Sequence, residues 1–575
     1  MRHLILVCAL SAFGLAACNS GDSGDVASSN GAPAMSVSLA TSVAENRLAY
    51  VPPQCFTRTQ DVAGGAVQNP CYTCHAETSE PNYNSQPELQ QAYDFPAVQS
   101  GHDVLNPWTN LFKDRSAAIA AQTDADIAAY VGENNYRTAK GDIALAQALA
   151  NLPATWDANR DGRWNGYVPD AWFNFDALGF DRAPDGHATG WRAFAYYPFP
   201  GAFMPTNGAF DDVLIRLPAA FRQAADGVVD DVVYATNLAI VEALIKRADI
   251  AIPETDETRL GVDLDRDGKL GTTTRVAYRW NPLQQDNMRY VGKAQTLQAA
   301  GQLHLAAGLF PEGTEFLHSV RYLAVDANGK VQPAPRMKEL RYSRKSYWMS
   351  YADLQLRAKQ EAKDKDLNPD RPELYGGNAE TGLANSVGWQ YQGFIEDQNG
   401  ALRPQSYEET LFCMGCHTGL SATEDGTFAF PRKLVSGAAN GWRQWGIGGS
   451  AAQAPLPDAK RRDGRLEFGT YLHNNGAGDE FRANSEVRNK FFASDGSPVA
   501  SQFAALENNV NVLLLPSAQR ARTLNKAYRA LVREQSFRLG RDPMITPAVN
   551  VHKSVVQGES TGILEAQTAP RLALP

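Results

Sequence analysis

Cys413-Met414-Gly415-Cys416-His417 and Cys71-Tyr72-Thr73-Cys74-His75 are two copies of one pattern, C-x-x-C-H. The spacing has a chemical reason. Two thiols so placed add across the two vinyl groups of a single haem, and the histidine that follows can ligate the iron from its proximal side. The pattern predicts two covalently bound haem c groups. Cys71, Cys74, Cys413 and Cys416 would carry them, with His75 and His417 as proximal iron ligands. Two other readings of paired cysteines compete. A four-cysteine zinc ribbon needs its pairs roughly 15–20 residues apart, whereas most of the chain separates Cys74 from Cys413. A thioredoxin-like redox pair explains one C-x-x-C but not a repeated trailing histidine.

The 575 residues are 43% hydrophobic and 20% charged, enough for a large core and for several domains. A net charge of -9 and a pI of about 5.6 give no reason to expect nucleic acid as a partner. Of seven cysteines, Cys8 and Cys18 fall in the leader, four serve the motifs and Cys55 is left over, so no even set remains for a disulfide framework. Cys55 is expected as a buried thiol. Its place shortly before Cys71 also makes it the one thiol that could ligate the first iron.

Residues 1–17 have the form of a secretion signal. Arg2 supplies the charged start, residues 4–10 the apolar run and Leu15-Ala16-Ala17-Cys18 the end. The apolar run is too short to span a membrane. Leu-Ala-Ala-Cys resembles a bacterial lipobox, which implies cleavage before Cys18 and acylation of that residue. Asn19, not Asp, follows it, and in that sorting pattern this implies the outer membrane. Residues 18–48 begin with a Gly-, Ser-, Asn- and Asp-rich run that reads as a flexible tether. The expectation is an exported, lipid-anchored protein on the outer membrane, facing the periplasm, with surface exposure left open.

The rest divides into a loop-rich first haem segment at 49–150, a β-rich body at 151–345 and a mostly helical second haem segment at 346–575. That makes an α+β fold. Strand-like runs lie at 191–199, 213–217, 274–280 and 316–325. Helical patterns lie at 123–131, 141–151, 233–247, 350–365, 503–515 and 518–537. The charged helix at 350–365 reads as a solvated face. Within the body, Asp157, Asn159 and Asp161, and again Asp263, Asp265 and Asp267, match the first half of an EF-hand-type calcium loop, each with a glycine at the turn. Val168 and Thr274 stand where such a loop has its bidentate Glu. A neighbouring carboxylate such as Asp170 or Glu257 would have to complete each site. The competing reading is an Asp/Asn/Gly turn without metal; structural calcium is the expectation.

The sixth ligand of each iron decides function, because a filled shell suits an electron carrier and an open one permits chemistry on a small molecule. His318, on the strand expected at 316–325, ranks first as a distal ligand. His552 and His102 follow, and Met349 and Met544 are weaker choices. Arg432 and Lys433 are placed to meet haem propionates. With its lipobox and two haem motifs, the chain resembles the dihaem c-type cytochrome lipoproteins of Gram-negative bacteria. That resemblance rests on a small part of the chain. It implies electron transfer with a redox partner protein in the periplasm or at the outer membrane, on a membrane attachment made through the N-terminal lipid. The alternative is a dihaem oxidoreductase acting on a peroxide, sulfur or nitrogen compound at an open or Cys-ligated haem.

Overall fold

The computed structural model describes residues 39–58, 60–62, 65–67, 69–97, 103–201, 205–434, 441–442, 456–476, 484–568 and 572. Cys18 and His102 lie outside them, as do the tether up to residue 38 and Trp445.

The fold is α+β, organised on one antiparallel sheet of nine strands. Across the sheet the order is Gly377–Asn378, Gly382–Ala384, Trp389–Glu396, Val331–Lys345, Glu315–Val325, Phe210–Arg216, Ala188–Phe194 and Phe180–Arg182. Leu402–Pro404 pairs with the far end of Trp389–Glu396. Side chains alternate between the two faces of a strand, and both faces are covered. One carries Trp191, Ala193, Leu214, Leu317, Leu340 and Phe394, and packs against Tyr136, Ala171 and the partly buried rings Trp164 and Phe173. The other carries Phe194, Val213, Phe316 and His318, and looks into a cavity. His318 pairs across the ladders with Val213 and Arg341.

The strand Glu315–Val325 and the helices Asp124–Gly132 and Ala518–Glu534 form where their patterns predict. Capping explains the helix starts. Thr123 with Asp126 and Ser350 with Asp353 make capping boxes, and Ser517 accepts from the backbone of Arg520. The last helix stops at Gln535, which takes a left-handed φ of 51°, before the Gly540 that reads as its stop. The helix expected at 503–515 is broken into Ala500–Asn508 and Asn511–Leu514, because Val510 N donates to Leu456 O instead of continuing the ladder. Thr272–Val276 does form a strand, but it pairs only with Ile250–Asp256, outside the main sheet.

The three segments read from the sequence interlock. The sheet runs past residue 345 and takes two more strands from 389–404. Asp103–Leu105 pairs with Ser554–Val556 near the chain's end. The backbone N–H groups of Glu45 and Asn46 donate to the Glu408 carboxylate, just before the second C-x-x-C-H motif. Among the described residues no helix is long and apolar enough to cross a membrane.

Candidate functional site

The two C-x-x-C-H motifs fold alike locally. Cys71–Cys74 is a single helical turn in which His75 N donates to Cys71 O at 2.9 Å. Asn69 Oδ1 accepts from Cys71 N and steadies its start. The second motif ends the helix Tyr407–Met414, which Ser406 and Glu409 open with a capping box. There His417 N donates to Cys413 O at 3.1 Å. Glu409 is buried and held by both arms of the Arg403 guanidinium, at 2.8 and 2.9 Å.

Tertiary structure brings the motifs together. Cys74 O accepts hydrogen bonds from Ala422 N at 3.1 Å and from Ser421 Oγ at 2.8 Å, and Ser421 Oγ in turn accepts from Ala76 N. Both motifs line one cavity of about 490 Å3, within the roughly 300–1,000 Å3 of ligand sites. Its walls are the sheet face, residues 50–55 with Cys55, and aromatic rings including Tyr391 and Phe428. Those two rings flank the His417 imidazole, with centroids 5.0 and 5.8 Å away. Gly415 fits only because it lacks a side chain, since a Cβ there would lie 1.9 Å from Tyr50 O. Gly415→Ala is therefore expected to cost about 1–3 kcal/mol by overpacking. An unfolding midpoint indistinguishable from wild type would contradict that close approach.

Both histidines are electrically suited to bind metal. Burial pushes His75 and His417 down to about 4, so each imidazole is neutral, the ligating form. His417 Nδ1 is 3.2 Å from Gly426 O, an arrangement that leaves Nε2 for a ligand. Gly426 is positioned by its neighbour Asp425, which pairs with the wholly buried Lys345 at 2.5 Å. Asn385 Nδ2 also donates to His417 O. His75 Nδ1 is buried without a hydrogen-bond partner among the described residues. The thiols are neutral too, because burial raises all four whose shift is resolved, Cys71 and Cys416 to about 12.

The two cysteine pairs do not converge on a single zinc site among the described residues. Among the described residues, the His, Cys, Asp and Glu ligand atoms gather within 4.8 Å of one another in threes or more only at Glu257, Asp263 and Asp265. The four cysteines thus form no compact tetrahedral cluster, while the cavity between them has room for a large apolar group.

The other sequence-predicted residues distribute unevenly. His318 lines the cavity, its Nε2 3.6 Å from Asp211 Oδ1, and Asp211 also accepts from Tyr196 OH. His552 is not among the lining residues; its ring packs edge-on against Tyr93 at 5.4 Å. Met349 and Met544 are likewise elsewhere. Arg432 reaches the cavity, but its guanidinium is committed to Glu467 and to the carbonyls of Tyr197 and Pro198. Lys433 pairs with the buried Glu242. Neither cation is thus available to propionates as the sequence reading supposed, because each neutralises a buried carboxylate. The helix Tyr351–Leu367 is solvated along most of its length, as expected, with Leu354 its only buried residue, but it also contributes to the cavity. Arg357, Glu361 and Lys365 line the cavity mouth. Their spacing of four residues puts them on one helix face, which by itself does not tell a cavity lining from a solvated face.

The two Asp-rich loops also differ. In the second, Asp263 and Asp265 meet Glu257, whose carboxylate accepts from the backbone of Leu264, Asp265 and Gly271. Asp267 is exposed and turned to Lys269 N. In the first, Asp157, Asn159 and Asp161 accept from the loop's own backbone. Asp170 does not complete that loop. It accepts from Trp191 Nε1 and Tyr167 OH and pairs with Arg216.

A family model described as "-like lipoprotein" matches residues 39–510, and the chain belongs to this lipoprotein family, a class of exported, lipid-anchored proteins. It is also similar to an "Uncharacterized lipoprotein" of Aquifex aeolicus (strain VF5), with 29% identity over 563 residues and 90% of each chain covered. No solved structure matches the chain.

Proposed function

We propose that this lipoprotein is a dihaem c-type cytochrome that carries electrons at the outer membrane, on the periplasmic side, tethered by an acylated Cys18. The observation that supports this most is the shared cavity, where two C-x-x-C-H motifs far apart in the sequence open onto one apolar space. Cys71 and Cys74 would hold one haem and Cys413 and Cys416 the other, with His75 and His417 toward the irons. When bound, these groups supply one-electron transfer. The chain's own part is to exclude water, keep both imidazoles neutral and aim His417 through Gly426 O. The hydrogen bonds from Ser421 and Ala422 to Cys74 O keep the two motifs adjacent, which suits passage of an electron from one to the other and on to a redox partner protein.

The test is EPR spectroscopy of the oxidised protein with a potentiometric titration. Two low-spin signals and two reversible one-electron steps are the expected result. Absence of covalent haem from protein matured in an exporting host would overturn the reading. His318 is the distal candidate that the cavity wall supports, so His318→Ala is expected to turn one low-spin iron high-spin. Retention of both low-spin signals would remove His318 as a ligand.

A second reading, an oxidoreductase acting on a small peroxide, sulfur or nitrogen compound, draws on Cys55 and His318, which line the cavity beside the motifs, and on Asp211, whose Oδ1 lies 3.6 Å from His318 Nε2. A high-spin iron in the unaltered protein would favour it.

A further inference from the structure

Residues 157–165 repeat the oxygen-donor spacing of a calcium loop but carry Val168 where the closing acid belongs. The loop already has the fold such a site needs. Asp157 accepts from Asp161 N and Gly162 N, Asn159 Oδ1 from Asp161 N, and Asp161 Oδ1 from Arg163 N. Arg160 and Gly162 take positive φ, 63° and 75°, and bend the backbone around the loop's centre.

A carboxylate from elsewhere faces this loop. Glu380 belongs to the hairpin at the edge of the main sheet, between Gly377–Asn378 and Gly382–Ala384, and is 0% exposed. Its Oε1 accepts from Asn165 N at 2.7 Å and Asn165 Nδ2 at 3.0 Å, and that same amide donates to Asp161 Oδ2 at 2.9 Å. Its other oxygen, Oε2, is buried with no hydrogen-bond partner among the described residues. A buried carboxylate oxygen left unsatisfied is destabilising, because it has lost its water without gaining a partner. A bound cation would remove that cost.

We propose that Glu380 is the closing ligand of a calcium site formed with Asp157, Asn159 and Asp161. The donors are all carboxylate or amide oxygens, the set that suits a hard divalent ion. The site would fasten the 157–165 loop to the sheet-edge hairpin. Asn385, which donates to His417 O, follows directly from that hairpin. The proposal stands independently of whether the C-x-x-C-H motifs carry haem.

The test uses the full chain in an Asp263→Asn background, which silences the second loop. The protein is stripped with chelator and titrated with calcium by calorimetry. One saturable calcium per chain is expected. Asp157→Asn and Glu380→Gln should each weaken it at least tenfold, and Asp170→Asn should leave it unchanged. Circular dichroism of the chelator-treated variants checks that they are folded. Should Glu380→Gln not fold, Glu380→Asp, which keeps the charge but shortens its reach, serves in its place with the same expected weakening. No saturable binding in the Asp263→Asn protein would overturn the site. Undiminished affinity in the folded Glu380 variant would overturn the role of Glu380.

Discussion

Changing Cys71 and Cys74 to serine is expected to lower the covalently bound haem from two groups per chain to one. Changing Cys413 and Cys416 should do the same, and changing all four should remove both. The effect is all-or-none because each thioether needs its own sulfur, and a serine hydroxyl does not replace a thiol in that addition. The two motifs are also built independently. One is an isolated helical turn entered through Asn69 and Pro70, and the other ends a capped helix anchored by Arg403 and Glu409. Loss of one pair therefore leaves the local fold of the other. Absorbance of the denatured, pyridine-treated protein measures the haem per chain, and mass spectrometry of the intact chain counts the covalent additions. An unaltered count in either double variant would show that its C-x-x-C-H motif is not an attachment site. Full zinc occupancy, lost in both double variants, would turn the reading back to a cysteine metal centre.

Lys345→Met is the substitution with the largest expected effect on stability. Lys345 and Asp425 are both wholly buried, with Nζ 2.7 and 2.5 Å from the two carboxylate oxygens. Burial pushes Asp425 up and Lys345 down, and each is opposed by the other's charge. Removal of the cation strands a carboxylate in the core, for which a loss of about 3–5 kcal/mol is typical. Functional damage should accompany it. Asp425 also accepts from Phe310 N and holds a left-handed φ of 50°, and the next residue, Gly426, offers its carbonyl to His417 Nδ1. Denaturant unfolding followed by fluorescence reads the stability, and, on the dihaem reading, the spectrum of an iron at the second motif would read the orientation of His417. The double variant Lys345→Met with Asp425→Asn should recover much of the loss, since the neutral amide needs no buried counter-charge, still accepts from Phe310 N and tolerates the left-handed φ. A loss below about 1 kcal/mol in the single variant, well short of that range, would mean that water reaches Asp425.

Much of the site was legible because its parts are local. A C-x-x-C-H pattern, a strand with His318 in its second turn of alternation, and a capped helix leading to Cys413 are each set by residues a few positions apart. The residues missed have no local signature. Arg357, Glu361 and Lys365 look like any solvated helix face until the cavity is seen beneath them. Arg432 and Lys433 look free until the buried Glu467 and Glu242 appear beside them. His552 was a candidate by residue type alone, and packing against Tyr93 turned it away from the lining.

The sequence by itself determined the two C-x-x-C-H patterns, the α+β character, the two Asp-rich turns and the form of the leader, because covalent spacing and hydrophobic periodicity act within a turn or a strand. Only the tertiary structure decided that the two motifs share a cavity. That outcome rests on contacts between distant positions, such as Ser421 with Cys74 and Tyr50 against Gly415. The same holds for the acids that face the Asp-rich loops. Glu257 precedes one loop, Glu380 comes from a distant hairpin to the other, and Asp170, the nearer carboxylate in sequence, is drawn off by Arg216 and Trp191. Burial and pairing of charge select among carboxylates by position in space, which no spacing along the chain records.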